Sequence, residues 1–246
     1  MVSKNQTKLI TRLGKKKYRN ASGLFVVEGV KSIQEFLNSP YVLDRLFTTD
    51  AALFDAVPAS QLTAVTPSEL KTLSFLSTPN TALALFKIPP PQPLATQGLV
   101  VALDGVNDPG NLGTIIRLCD WFDVSQLVCS PDTVDCYNPK VVQASMGSLP
   151  RVPIAYMDLP TFLSEQSAGP VYGTFMDGTS VYQTHLEAPG VLVLGNEANG
   201  IGQAVARLVD QKLTIPQFGA VQATESLNVA TATAIFLSEF KRPTER

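Results

Sequence analysis

Leu99-Val100-Val101-Ala102-Leu103-Asp104-Gly105-Val106-Asn107-Asp108-Pro109-Gly110-Asn111-Leu112-Gly113-Thr114-Ile115-Ile116-Arg117 runs from an apolar stretch, through a polar loop, into a helical pattern. Leu99–Leu103 is short, β-favouring and without polar alternation, which reads as a strand buried on both faces. Ile115, Ile116, Leu118, Cys119 and Phe122 supply the apolar face of the helix that follows. The alternation continues to the end of the chain, with strands expected at Leu99–Leu103, Gln126–Cys129, Val152–Tyr156, Val171–Met176, Val191–Leu194 and Leu213–Ile215. Strands of this kind separated by helices predict an α/β fold with a mostly parallel sheet. Ligands of such sheets bind beyond the carboxyl ends of the strands, so the residues just after each strand carry the functional information.

The N-terminal part reads as a smaller α/β domain. Residues 3–19 suit one helix, with Leu9, Ile10 and Leu13 on its apolar face. A strand follows at Leu24–Glu28, then a helix at Val30–Leu37 opened by Gly29. Further elements are a strand at Asp44–Thr49, a helix at Pro67–Leu73 and a strand at Thr81–Ile88. Pro89, Pro90, Pro91 and Pro93 mark an extended linker. The expected domains are therefore 1–88 and 99–246, joined by 89–98.

Of the 246 residues, 45% are apolar and 16% charged, a composition that supports a core and argues against disorder. No apolar run reaches the roughly 18–20 residues needed to span a bilayer, and the N-terminus has no secretory apolar region. Cys119, Cys129 and Cys136 lack metal-ligand spacing, and His185 is the one histidine. No metal is expected, and reduced thiols in the cytoplasm are. The thiols read as buried small apolar residues, Trp121 as core, and His185 as a surface residue.

Residues 1–88 carry eleven bases and six acids, whereas 99–246 carry eight bases and fifteen acids. Lys8, Arg12, Lys15, Lys16, Lys17 and Arg19 lie in an N-terminal stretch free of acids, a pattern suited to the phosphates of RNA or DNA. A solvated helix face is the alternative. A mitochondrial targeting helix ranks lower, because the folded pattern continues directly into Gly23–Gly29.

Three loops carry candidate chemistry. The first, Asp104–Arg117, joins a strand to a helix N-terminus, a combination that binds anions. It has neither the G-x-G-x-x-G spacing of dinucleotide sites nor a Walker lysine. Asn111 suits a helix cap or a ligand contact, and Arg117 suits an anion, a ribose or an ion pair. In the second loop, Gly195 permits close backbone approach by a ligand, Asn196 follows, and Glu197 needs a partner, with Arg117 the candidate. In the third, Ile215-Pro216 ends a strand and Ser226-Leu227-Asn228 precedes an apolar helix running to Phe240. Thr224, Ser226 or Asn228 could each cap that helix, and on local grounds alone a cap is the preferred reading.

Read together, Asn111-x-Gly113-x-x-x-Arg117, Leu194-Gly195-Asn196-Glu197-x-x-Gly200 and Ile215-Pro216 with Ser226-Leu227-Asn228-Val229 resemble, in order and spacing, the three motifs of the SpoU (TrmH-like) RNA ribose 2'-O-methyltransferases of the SPOUT superfamily. Asp135–Ser148 and Val26-Val27-Glu28-Gly29 are similar to the family as well. The resemblance implies an S-adenosylmethionine-dependent enzyme acting on rRNA or tRNA, with a trefoil-knotted C-terminal domain. It implies a homodimer formed through that domain, and an RNA-binding N-terminal domain. It places Leu194, Gly195, Asn196, Ile215, Pro216 and Leu227 around the cofactor. It makes Asn111, Arg117, Glu197, Ser226 and Asn228 the catalytic group, with Glu197 orienting Arg117 and with Ser226 and Asn228 fixing ribose and cofactor. Two departures stand out: extra residues around Ala220-Val221-Gln222-Ala223, and Pro150. The rival functions are a non-catalytic RNA-binding or ribosome-assembly protein on the same fold, and a nucleotide-binding oxidoreductase, against which the missing dinucleotide fingerprint speaks.

Overall fold

A computed structural model describes residues 2–242, except 92, 96, 166–168, 220 and 222–225. Most of the extra segment expected before Ser226 therefore lies outside the described residues, as does Thr224. The chain divides into two compact units, residues 1–90 with 135–151, and residues 91–134 with 152–246.

In the first unit the expected single N-terminal helix is two, α1 (Lys4–Arg12) and α2 (Lys16–Ser22). The break falls at Gly14, where a Cβ would lie 2.9 Å from the Phe75 ring. Ile10 and Leu13 are buried, while Leu9 remains 38% exposed. Ser3 and Gln6 form a reciprocal capping box on α1, satisfying two N–H groups that the helix itself leaves unpaired. The mixed sheet has the order β1 (Leu24–Glu28), β4 (Ala82–Lys87), β2 (Leu43–Thr48) and β3 (Leu62–Ala64). The three-residue β3 is too short to register as a sequence pattern. Helices α3 (Val30–Leu37) and α4 (Pro67–Leu73) have the expected bounds.

Residues 135–151, which include α6 (Pro139–Ala144), belong to this unit. The Tyr137 ring lies 4.6 Å from Phe25, and its hydroxyl is 3.2 Å from that of Tyr41. Burial pushes the Tyr41 hydroxyl up to about 12 and that of Tyr137 further in the same direction, so both phenols stay protonated at neutral pH. Arg19 is also buried here. Its Nε donates to Asp135 Oδ2 at 2.9 Å, Nη2 pairs with the same oxygen, and Nη1 donates to Leu13 O at 2.7 Å.

The second unit contains a six-stranded, wholly parallel sheet. Its order is β10 (Gln211–Thr214), β8 (Val171–Ser180), β9 (Gly190–Gly195), β5 (Leu99–Asp104), β6 (Gln126–Cys129) and β7 (Ile154–Tyr156). All six expected strands are present. β7 starts later than expected because Pro153 has no N–H to extend the ladder, whereas β8 extends past Met176 to Ser180. Val100, Ala102, Val191 and Val193 form a core with α7 (Leu159–Glu165) and α8 (Gln203–Ala206). Val101 and Leu103 alternate to the opposite face and are also fully buried. There α9 (Val229–Lys241) packs on β9 and on α5 (Pro109–Trp121).

Trp121 is not core but 83% exposed. Leu112, Ile115, Ile116 and Cys119 form the buried face of α5, and Trp121 lies about 200° around the helix from Cys119. The three cysteines are free and buried, and His185 is exposed, both as expected. Among the described residues, no helix is long and apolar enough to cross a membrane.

Replacing Arg19 with Ala leaves the Asp135 carboxylate buried without its cation. A loss of about 3–5 kcal/mol is expected, measurable as a lower midpoint in denaturant unfolding.

Candidate active site

β5 and β9 are neighbours, so their following loops leave the sheet side by side. Two hydrogen bonds stitch these loops together, and a third ties the first loop to the turn after β6. Asn196 Nδ2 donates to Gly105 O at 2.6 Å, Gly202 N donates to Asp104 Oδ2 at 2.7 Å, and Gly105 N donates to Ser130 Oγ at 2.8 Å. The Asn196 Oδ1 accepts from Ala198 N and Asn199 N. Its side chain thus shapes the turn.

Gly195 is also required by the chain's own packing. A Cβ there would sit 2.2 Å from the Gly200 carbonyl carbon and 2.3 Å from Ile201 N. The hairpin itself makes this close approach, closed by the Asn196–Gly200 bridge, and Gly195 also lines the neighbouring cavity.

The helix caps resolve the local alternatives. Asp108, not Asn111, caps α5, accepting from Asn111 N at 2.8 Å. The Asn111 side chain is thereby left for other contacts. Asn228 caps α9, its Oδ1 accepting from Ala230 N at 3.0 Å and Thr231 N at 3.2 Å, an arrangement worth about 1 kcal/mol over alanine. Ser226 is exposed beside it.

These side chains meet. Asn228 Nδ2 donates to Asn111 Oδ1 at 2.9 Å, and Asn111 Nδ2 donates to Glu197 Oε1 at 2.7 Å. The expected Glu197–Arg117 pair is not formed. Arg117 lies exposed on α5, about 9 Å along the axis from Asn111 and on a different side of the helix. Asn111 takes its place as the partner of Glu197.

Beside this polar chain lies a cavity of about 680 Å³, within the range of small-molecule sites. Leu194, Gly195, Asn196, Ile215, Pro216 and Leu227 all line it, as do Glu197 and Ser226. Sequence reasoning missed Thr174, Phe175 and Met176 of β8, and Val229, Ala232 and Phe236 of α9, which also line it. The α9 residues recur at three- and four-residue intervals, a helical-face signal hidden by the uniformly apolar sequence around them. The β8 residues had no such signal.

In the first unit, Lys8, Arg12, Lys15, Lys16 and Lys17 are exposed. Arg19 points inward to Asp135 and is 1% exposed, so it is not part of that cationic surface. Arg12 and Lys17 lie over the Tyr18 ring, 5.2 and 4.9 Å from its centroid.

A parallel sheet with a cavity at its strand ends, lined by Glu197 whose carboxylate is joined to two amides beside it, is the architecture of an α/β protein that binds a small molecule. The chain belongs to the SpoU rRNA methylase family, whose model matches residues 98–238. Residues 4–84 match the MRM3-like substrate binding domain. A 23S rRNA (guanosine(2553)-2'-O)-methyltransferase of Bacillus subtilis (strain 168) is 31% identical over 231 residues, 92% of this chain and 92% of that protein. The structure of a putative RNA methyltransferase of the TrmH family from Porphyromonas gingivalis is 39% identical, with a TM-score of 0.90 over 99% of both chains. An AdoMet-bound rRNA methyltransferase from Sinorhizobium meliloti is 29% identical, with a TM-score of 0.88 over 99% of this chain and 97% of the other.

Gly195→Ala forces the hairpin backbone to move. It is expected to cost about 1–3 kcal/mol, read as a lower thermal midpoint.

Proposed function

We propose that this protein transfers the methyl group of S-adenosylmethionine to a ribose 2'-hydroxyl of 23S ribosomal RNA. The observation that carries this function is the meeting of the cavity with the Glu197–Asn111–Asn228 chain at its edge. The relatives support S-adenosylmethionine and ribosomal RNA as the pair of substrates. The fit of the cofactor rests on this chain's own residues: volume, an apolar wall from Leu194, Ile215 and Leu227, and backbone groups from the turns around Asn196 and Pro216. A purely structural assembly protein would not require this combination.

When bound, S-adenosylmethionine supplies a methyl group made electrophilic by its sulfonium. The chain's contribution is positioning and electrostatics. Leu194, Ile215 and Leu227 exclude water from the cofactor side. Asn111, Ser226 and Asn228 hold the ribose against it. A guanidinium is a poor general base, so Arg117 is assigned an electrostatic role. Arg117 faces away from its own chain's cavity, so in the dimer proposed below it would reach the partner's site, where it stabilises the developing 2'-oxygen charge or binds the adjacent phosphate, with the proton passing to phosphate or water.

Lys8, Arg12, Lys15, Lys16 and Lys17 bind RNA phosphates, which positions the substrate without reading its sequence. Three further features complete the proposal. The protein is a homodimer through the C-terminal domain, supported by the exposed Trp121 at the end of α5. The domain is knotted, supported by the return of α9 from the edge strand β10 to pack on α5, which follows the central β5. The protein works in the cytoplasm, supported by its three free thiols.

Incubation with methyl-labelled S-adenosylmethionine and 23S rRNA should label ribose 2'-oxygens; no incorporation would overturn the proposal. Arg117→Ala should lower kcat by roughly 100-fold or more while the cofactor Kd stays within a few-fold. Near-normal turnover would remove Arg117 from the mechanism.

Converting Lys15, Lys16 and Lys17 together to Ala should weaken RNA binding. It should also flatten the plot of log K against log salt, by roughly 0.7–0.9 for each phosphate that the variant no longer neutralises. A change confined to thermal stability would make the patch structural.

A further inference from the structure

Glu197, which lines the cavity, is joined head to tail with Asn111 and Asn228 beside it, and the chemistry of an amide gives that chain a direction. Asn228 Oδ1 accepts from Ala230 N and Thr231 N. Turning this amide over would set its N–H groups against two backbone donors, so the helix end fixes Nδ2 outward. Asn228 Nδ2 then requires an acceptor, which is Asn111 Oδ1 at 2.9 Å. With its oxygen committed, Asn111 must present Nδ2 on the other side, where Glu197 Oε1 accepts at 2.7 Å. A carboxylate has no donor at neutral pH and terminates the chain. The backbone of α9 at one end and the Glu197 carboxylate at the other thus enforce the same orientation of both amides.

We infer that Glu197 is a positioning residue that acts through Asn111 and Asn228, holding both amides with their N–H groups in one orientation beside the cavity, and that it does so in place of pairing with Arg117. Each Nδ2 carries two hydrogens and uses one within the relay. The remaining N–H of each amide is a donor for an oxygen, and an oxygen losing its proton becomes an acceptor alone. An amide turned over would set a carbonyl lone pair against that oxygen and oppose the charge developing there. The inference rests on the methyl-transfer function proposed above, and it assigns to Glu197 the task of keeping the wrong face of Asn111 turned away.

Direction can be tested by reversing it. Glu197→Gln keeps an acceptor for Asn111 but removes the charge, whereas Glu197→Ala removes both. The relay predicts at least about tenfold higher kcat for Glu197→Gln than for Glu197→Ala, with cofactor KM similar in the two. If the carboxylate instead acted by its charge on Arg117, the two variants would be equally impaired. Asn228→Asp keeps the helix cap but presents an oxygen to Asn111 Oδ1, so the two acceptors oppose each other until Asn111 turns over and faces Glu197 with its carbonyl. Combining Asn228→Asp with Glu197→Gln lets the whole chain run backwards, because a glutamine can donate to that carbonyl.

The double variant should therefore recover thermal stability relative to Asn228→Asp while kcat remains low. Recovery of both would show that orientation is irrelevant to turnover. Additive stability effects at 197 and 228 would show that no relay links them. Equal kcat for Glu197→Gln and Glu197→Ala would likewise overturn the inference. The stability cycle reads the relay without any turnover. An inactive wild-type protein with non-additive stabilities would thus refute the methyl-transfer function and leave the relay standing.

Discussion

Every strand of the six-stranded sheet points the same way, and most of the site follows from that constraint. A parallel sheet must send its chain back across one face after each strand, so all its carboxyl ends emerge along one edge. Because β5 and β9 are adjacent, the turns at Asp104–Gly105 and Gly195–Gly200 emerge together and share hydrogen bonds. β10 contributes the third turn from the far side of β8. Residues more than eighty positions apart in the chain, such as Asn111 and Glu197, can then be 2.7 Å apart without a dedicated scaffold.

Helix termini supply the second ingredient. α5 and α9 both begin at this edge, and each must satisfy its first N–H groups. Asp108 does so for α5 and Asn228 for α9. An aspartate cap has only a second acceptor oxygen to offer elsewhere, whereas an asparagine has an amide nitrogen that donates. Asn228 therefore joins helix capping to the rim of the cavity, so the local and functional roles of the third loop coincide in one side chain.

The six strands of the parallel sheet were legible because buried strands are written as short β-branched and leucine runs, Val191–Leu194 being the plainest. Position within the sheet was not, since the order of β10, β8, β9 and β5 depends on pairing between distant segments. Local periodicity failed where a single contact decides the outcome. Gly14 breaks the N-terminal helix because Phe75, sixty-one positions away, fills the space of a Cβ. Arg19 has the sequence environment of its cationic neighbours yet turns inward, because Asp135 waits there. Trp121 reads as core by composition, but helical rotation carries it outside. At the site, the motif spacing identified Leu194–Glu197, Ile215, Pro216, Ser226 and Leu227 of the cavity lining but not the residues of β8 and α9. It could not tell that Glu197 pairs with Asn111, because that partnership depends on where the α5 cap falls.

The placement of residues 135–151 bears on how the first unit could be cut, exchanged or inherited. The proline-rich stretch after Lys87 invites the view that everything before it is a portable cassette. Yet that cassette would carry a buried Arg19 without Asp135, and a Phe25 ring stripped of Tyr137. Its missing piece is encoded between two strands of the other unit's sheet, β6 and β7. An excised N-terminal fragment would expose an apolar face and strand a cation inside it. A graft onto another methyltransferase would succeed only if the recipient's β6–β7 connection were exchanged as well. The two stretches are separated in sequence by residues 91–134 but form a single unit of substitution, and changes at position 19 or 25 have to be matched at 135 or 137.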